Sequence, residues 1–159
     1  MAKKKGSGCN GKRWEEAIHA LELAGYANIA RTEFPPSGKW FMRDVYYRTI
    51  YNTRGRHEFV LCNERNLLTV ECKFQETGGS VDEKLPYLFE SWLRSESYQG
   101  YPFSRHWLVA FDGLYFQKGR GANAVEWLRL RGNRHESSRR SMTVTNGFLQ
   151  MLDWLKEWS

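Results

Sequence analysis

Apolar residues recur at helical spacing between Lys12 and Gly25, where Trp14, Ala17, Ile18, Leu21 and Ala24 fall on one stripe and Gly25 supplies a stop. That pattern predicts a first helix. Residues 33–39, with two prolines and a glycine, predict a loop. The pattern then changes: residues 40–52 are rich in aromatic and β-branched side chains and predict a strand. A turn at 53–56, a second strand over 57–62, a turn at 63–66 and a third strand over 67–74 complete an antiparallel meander. Gly78 and Gly79 interrupt it, and Ser80 to Glu83 has the form of a helix capping box. Leu85, Leu88, Phe89, Trp92 and Leu93 then predict a second helix over about 86–95, with Pro86 in its first turn. A buried strand follows at 106–111, a short helix at 121–131, a charged loop at 132–141, a short strand at 142–145 and a last helix at 147–158. The core order is therefore helix, three strands, helix, strand, with a more variable C-terminal part.

At 159 residues the chain suits one domain over 12–159, preceded by a flexible basic arm at 1–11. With 41% apolar and 15% aromatic residues it can close a core without disulfides or a structural metal. No apolar run is long enough for a bilayer and no leader is evident, so the expectation is a cytoplasmic protein with no membrane partner. Cys9, Cys62 and Cys72 make an odd count with no metal-ligand spacing, and the latter two sit in strand-like apolar runs, where cysteine acts as a small hydrophobe. Net charge is +6, concentrated at Lys3–Lys5, Lys12 and Arg13, at Arg54 and Arg56, and from Arg129 and Arg131 to Arg134, Arg139 and Arg140. Such a surface attracts polyanions by charge and counterion release.

The chemistry lies in 54–75. A turn at Asn63–Asn66 pairs Glu58 with Glu71 and Arg56 with Lys73, and alternation puts Glu71, Lys73 and Gln75 on one face. Two carboxylates, an ammonium and an amide then converge at one end of a hairpin. Two carboxylates suit a hard cation such as Mg²⁺, which keeps water and substrate phosphate in its other positions. The ion acidifies water and offsets charge on a phosphorane, and a nearby lysine positions the attacking water. Phosphodiester hydrolysis fits this set.

These residues resemble the PD-(D/E)XK nuclease superfamily. Glu71-Cys72-Lys73 matches its (E/D)-x-K motif, Gln75 extends this to ExKxQ, and Glu58 stands where the family has its first acid, usually Asp. The stretch from Cys72 to Leu88 looks like a phage and bacterial branch with ECKxQ. Gly11-Lys-Arg-Trp-Glu15 resembles the family's first-helix G-x-x-x-E pattern, and Glu15, placed at the edge of the apolar stripe, is preferred there to Glu16. The resemblance implies an α/β, restriction-endonuclease-like αβββαβ core with a mixed central sheet flanked by helices. It implies Glu58, Glu71 and the Cys72 backbone carbonyl as metal ligands, Mg²⁺ with Mn²⁺ able to substitute, and a DNA-cutting homodimer in a bacterial or phage-infected cell.

Competing readings stand beside this one. ExK alone is a common solvated ion pair on a strand. Asp44 is the rival first acid, but it enters the first meander strand rather than the second. His57 is expected to face away from Glu58, so His57 and His106 suit packing or surface roles. Arg54, Arg56, Arg129, Arg131, Arg139 and Arg140 are the DNA-binding candidates, and Trp40 is core or a base-stacking platform. A restriction or homing enzyme, a junction- or structure-selective nuclease, a non-catalytic DNA-binding module and an RNA-cutting enzyme all remain compatible with the sequence.

Overall fold

A computed structural model describes residues 8–31, 36–48, 51–64, 66–78, 82–86, 97–98, 101–133 and 141–158, with the backbone alone at 8–14, 82, 97–98, 101–105, 132–133 and 141. Helix α1 spans Gly8–Leu23, starting before the expected Lys12. Its buried stripe is Ala17, Ala20 and Leu21. It ends at Gly25, whose φ of 91° is left-handed, with the Gly25 and Tyr26 amides donating back to the Glu22 and Leu21 carbonyls.

The strands are β1 (Ala27–Asn28), β2 (Trp40–Arg48), β3 (Arg54–Asn63), β4 (Asn66–Phe74), β5 (Ser97–Tyr98), β6 (Tyr101–Asp112) and β7 (Ser141–Asn146). They form a seven-stranded mixed sheet in the order β1-β2-β3-β4-β6-β5, with β7 also paired to β6. The meander β2–β3–β4 is antiparallel, as its tight turns require, whereas β4, β6 and β7 run parallel. Two further helices are α2 (Gly119–Asn133) and α3 (Phe148–Glu157). Of the expected helix over 86–95, a 3₁₀ turn at Asp82–Lys84 and the buried Leu85 precede Pro86; 87–96 lie outside the described residues. Among the described residues, no helix is long and apolar enough to cross a membrane.

Both faces of the sheet are covered, which explains the continuous apolar runs of its central strands. On one face Phe59, Leu61, Leu68, Val70, Leu108 and Ala110 pack with α1 and α3. On the other, Trp107, Val109 and Phe111 pack with Phe116 and with Val125 and Leu128 of α2. The carboxyl end of β4 is fixed to β6 by backbone bonds: the Gln75 amide donates to the Asp112 carbonyl and the Tyr115 amide to the Gln75 carbonyl.

Gly113 makes that closure possible. Its φ is 104°, and a Cβ there would lie 2.2 Å from the Gln75 carbonyl oxygen. Gly113→Ala combines left-handed strain with a backbone collision and is expected to destabilise the protein by about 2 kcal/mol or more. The shift of the denaturant midpoint at unchanged m-value measures this.

Candidate active site

The β3–β4 hairpin has the expected register, from Asn63↔Asn66 to Phe59↔Val70. There the ladder ends, and side chains take its place. The Cys72 amide donates to Glu58 Oε2 at 2.7 Å and the Glu58 amide to Glu71 Oε1 at 3.4 Å. Lys73 Nζ lies between the two acids, 3.1 Å from Glu58 Oε1 and 3.1 Å from Glu71 Oε2. Strands that splay apart would strand their backbone donors, and here the two carboxylates satisfy them.

Burial makes this cluster unlike a surface ion pair. The Glu71 side chain is 6% exposed, against 20% for Glu58 and 26% for Lys73. Burial, and then the Glu71 charge, push the Glu58 carboxyl up from 4.5 to about 7, more than Lys73 pulls it down. Glu71 moves the other way: although burial opposes it, the neighbouring His57 ring and the Lys73 charge hold its carboxyl below the usual range. Both acids in turn raise the Lys73 ammonium against the effect of burial. Two neighbouring acids with pKa values driven apart are a recognised mark of a working site.

A family model for the PD-(D/E)XK nuclease superfamily domain matches residues 7–158, nearly the whole chain. The chain belongs to the PD-(D/E)XK nuclease superfamily. No curated protein and no solved structure matches it significantly. The α/β sheet with flanking helices is consistent with the restriction-endonuclease-like core of that superfamily, whose members are generally nucleases and typically use divalent metal ions.

One residue of this PD-(D/E)XK site was hidden in the sequence. His57 is 1% exposed, in the packing role expected of it, but its Nδ1 lies 3.9 Å from Glu71 Oε1, the acid expected on the Glu58 face and so away from His57. The cause is a matched kink in two strands. Pairing of β2 with β3 runs to Arg43↔Phe59 and resumes at Val45↔His57, passing over Asp44 and Glu58, and Asp44 has φ 51°. Simple alternation fails across that step. The His57 ring is stacked on Tyr47 with centroids 4.1 Å apart and meets Trp107 edge-on at 6.1 Å. Tyr47 in turn lies against Gly55, where a Cβ would stand 2.3 Å from its ring.

The remaining sequence candidates are distributed as follows. Gln75 is half-buried at the end of β4, with its amide donating to the Thr77 carbonyl. Glu15 is exposed on α1 while Glu16 is half-buried, the reverse of the expected order. Over 15–24 the buried residues centre on Ala17, Ala20 and Leu21, so Glu15 falls nearly opposite them and Glu16 about 90° away. Among the described residues no hydrogen bond or ion pair joins Glu15 to Glu58, Glu71 or Lys73. Asp44 is 49% exposed and paired with Arg56 at 3.4 Å, so Arg56 meets Asp44 and not Lys73.

Arg54 lies 3.5 Å over the Tyr46 ring, with Arg31 at 5.3 Å. Arg129 is paired with Glu126 on α2, and Arg131 lies 5.6 Å from the Trp127 ring. Arg139 and Arg140 lie outside the described residues. Trp40 is 2% exposed and its indole N–H donates to the Pro36 carbonyl, so it packs and does not offer a stacking face. His106 stacks on Trp154 at 5.0 Å and touches Thr143. The Cys62 and Cys72 thiols are free and buried, and burial pushes both pKa values up, away from reactivity. Among the described residues no three His, Cys, Asp or Glu side chains converge to hold a metal ion.

Proposed function

We propose that the protein is a Mg²⁺-dependent endonuclease that hydrolyses phosphodiester bonds in DNA, with Mn²⁺ able to substitute. The observation that carries this reading is the convergence of Glu58 and Glu71 on one cation, Lys73 Nζ, at 3.1 Å from each. One ammonium does not neutralise two buried acids, and the Glu58 carboxyl rises to about 7 as a result. A hard divalent cation beside them would relieve that deficit, so the donor set fits the metal typical of the family. Glu58, Glu71 and the Cys72 carbonyl are its proposed ligands, and the ion would supply Lewis acidity at the scissile phosphate.

The side chains do the rest. Lys73, charged and held by both acids, orients the attacking water and stabilises the developing phosphorane charge. His57 is a positioning residue, fixing the Glu71 carboxylate from behind. Gln75 would bind beside Lys73. Arg54 and Arg56, close in sequence to Glu58, are proposed phosphate contacts. So are Arg129, Arg131, Arg139 and Arg140. Stacking over Tyr46 or Trp127 occupies the guanidinium face and not its N–H edge. Because one such site cuts one strand, double-strand cleavage would call for a homodimer.

Incubation with supercoiled plasmid should give nicked circles with Mg²⁺ and none with EDTA. Cleavage of RNA alone, or equal cleavage in EDTA, would overturn the reading.

A further inference from the structure

The carboxyl ends of β6 and β7 open into a cavity of about 570 Å³. Phe111, Phe116 and Val125 give it an apolar wall, while Asp112, Gln117 and Asn146 offer hydrogen-bonding groups. Its position follows from the register. Phe111 is the partner of Lys73 and Asp112 the partner of Phe74 in adjacent parallel strands. Paired residues project to the same side, so the cavity lies one strand from Lys73, on the face to which Lys73 and Glu71 project. Crevices at the carboxyl ends of parallel strands are where open α/β sheets take ligands.

Charge and size narrow the ligand. The charged residues lining the cavity are Asp112, Glu126 and Arg129, two acids against one base, and Arg129 is already paired with Glu126. With no unbalanced positive charge inside, the cavity suits a neutral group, and a phosphate would meet Arg129 only at its mouth. The volume falls in the range that holds one small ligand, roughly 300–1,000 Å³. A base pair within a duplex cannot enter such a space. A single base can, with its donor and acceptor edge against the carboxylate and amides.

We propose that this cavity receives one unpaired nucleoside of the substrate strand, next to the scissile phosphate held at Lys73. The proposal rests on the nuclease reading and deepens it. The protein would act where a base has left the stack: at strand ends, flaps, gaps or branch points.

A binding assay without metal tests this independently of cleavage. The probe is a DNA hairpin carrying 2-aminopurine either within the paired stem or in a single-stranded flap, titrated with the full chain in EDTA. The flap probe should bind about tenfold tighter than the paired one, since one well-placed bidentate contact to a base edge contributes on that scale. Ala122→Trp, on α2 and projecting into the cavity, should abolish the preference while leaving paired-stem affinity unchanged. Gln117→Ala, at an exposed position on the rim, should reduce the preference without a folding risk. Equal or absent binding of the two probes by the native chain, or a preference that survives both variants, overturns the proposal. A protein that selects the flap but cuts neither the flap probe nor plasmid in Mg²⁺ would keep the cavity and lose the nuclease reading. One that nicks plasmid but ignores the flap would do the opposite.

Discussion

Glu71→Gln is expected to slow plasmid nicking by on the order of 10²–10³-fold or more, with the fold intact. The side chain is 6% exposed and serves Lys73 and the Glu58 amide at once. Gln keeps the shape and one acceptor oxygen, so the splayed hairpin retains a partner for that amide. It removes the charge that, on the proposed reading, holds the ion and fixes Lys73. DNA affinity should persist, because most of it would come from phosphate contacts elsewhere. Far-ultraviolet dichroism and a gel-shift titration would run beside the nicking assay. Normal turnover in this variant would dismiss the assignment.

A second large effect should separate the two rival acids. Glu58→Ala removes a carboxylate that bonds both Lys73 and the Cys72 amide, and cleavage should fall by about 100-fold or more. Asp44→Ala removes one half of an exposed pair with Arg56, a contact worth about 1 kcal/mol at most, and activity should change by only a few-fold. An inactive Asp44 variant beside an active Glu58 variant would move the site to β2. Glu58 should also mark the pH dependence of the metal-free protein. Its carboxyl titrates near 7 in the fold and ordinarily near 4.5, so between those values the folded state holds a proton that the unfolded chain has released. Stability from neutral Glu58 is therefore complete below about 4.5 and lost as pH rises through 7. Measured in EDTA against Glu58→Gln, the melting temperature of the native chain should decline across that window.

The meander and the convergence of Glu58, Glu71 and Lys73 were legible because they are local. A tight turn fixes register, and the register alone brings Glu58 opposite Glu71 and puts Lys73 on the same face as Glu71. What escaped depends on departures from regularity or on distant pairing. His57 was misplaced because alternation was carried through a kink that only the positive φ of Asp44 reveals. The choice between Glu15 and Glu16 turns on where the stripe of α1 centres, and the small buried residues Ala17 and Ala20 draw that centre round the helix toward Glu16. Strands β1 and β5 have two residues each, too short for any periodic signal. The cavity beside Lys73 depends on β4, β6 and β7 lying side by side, and no local pattern encodes such parallel neighbours.

Gly55 carries a consequence for redesigning this protein. It has no side chain and no chemistry, yet it admits the Tyr47 ring that backs His57, which in turn backs Glu71. The hairpin turn before β3 is an attractive place to graft a recognition loop, since the strands that flank it end in exposed Arg48 and Arg54. Grafts that stop short of position 55 inherit the site unchanged. Those that replace Gly55 push on a rigid column of rings whose far end is the Glu71 carboxylate, so on the proposed reading the graft boundary, more than the grafted sequence, decides whether the chimera cuts.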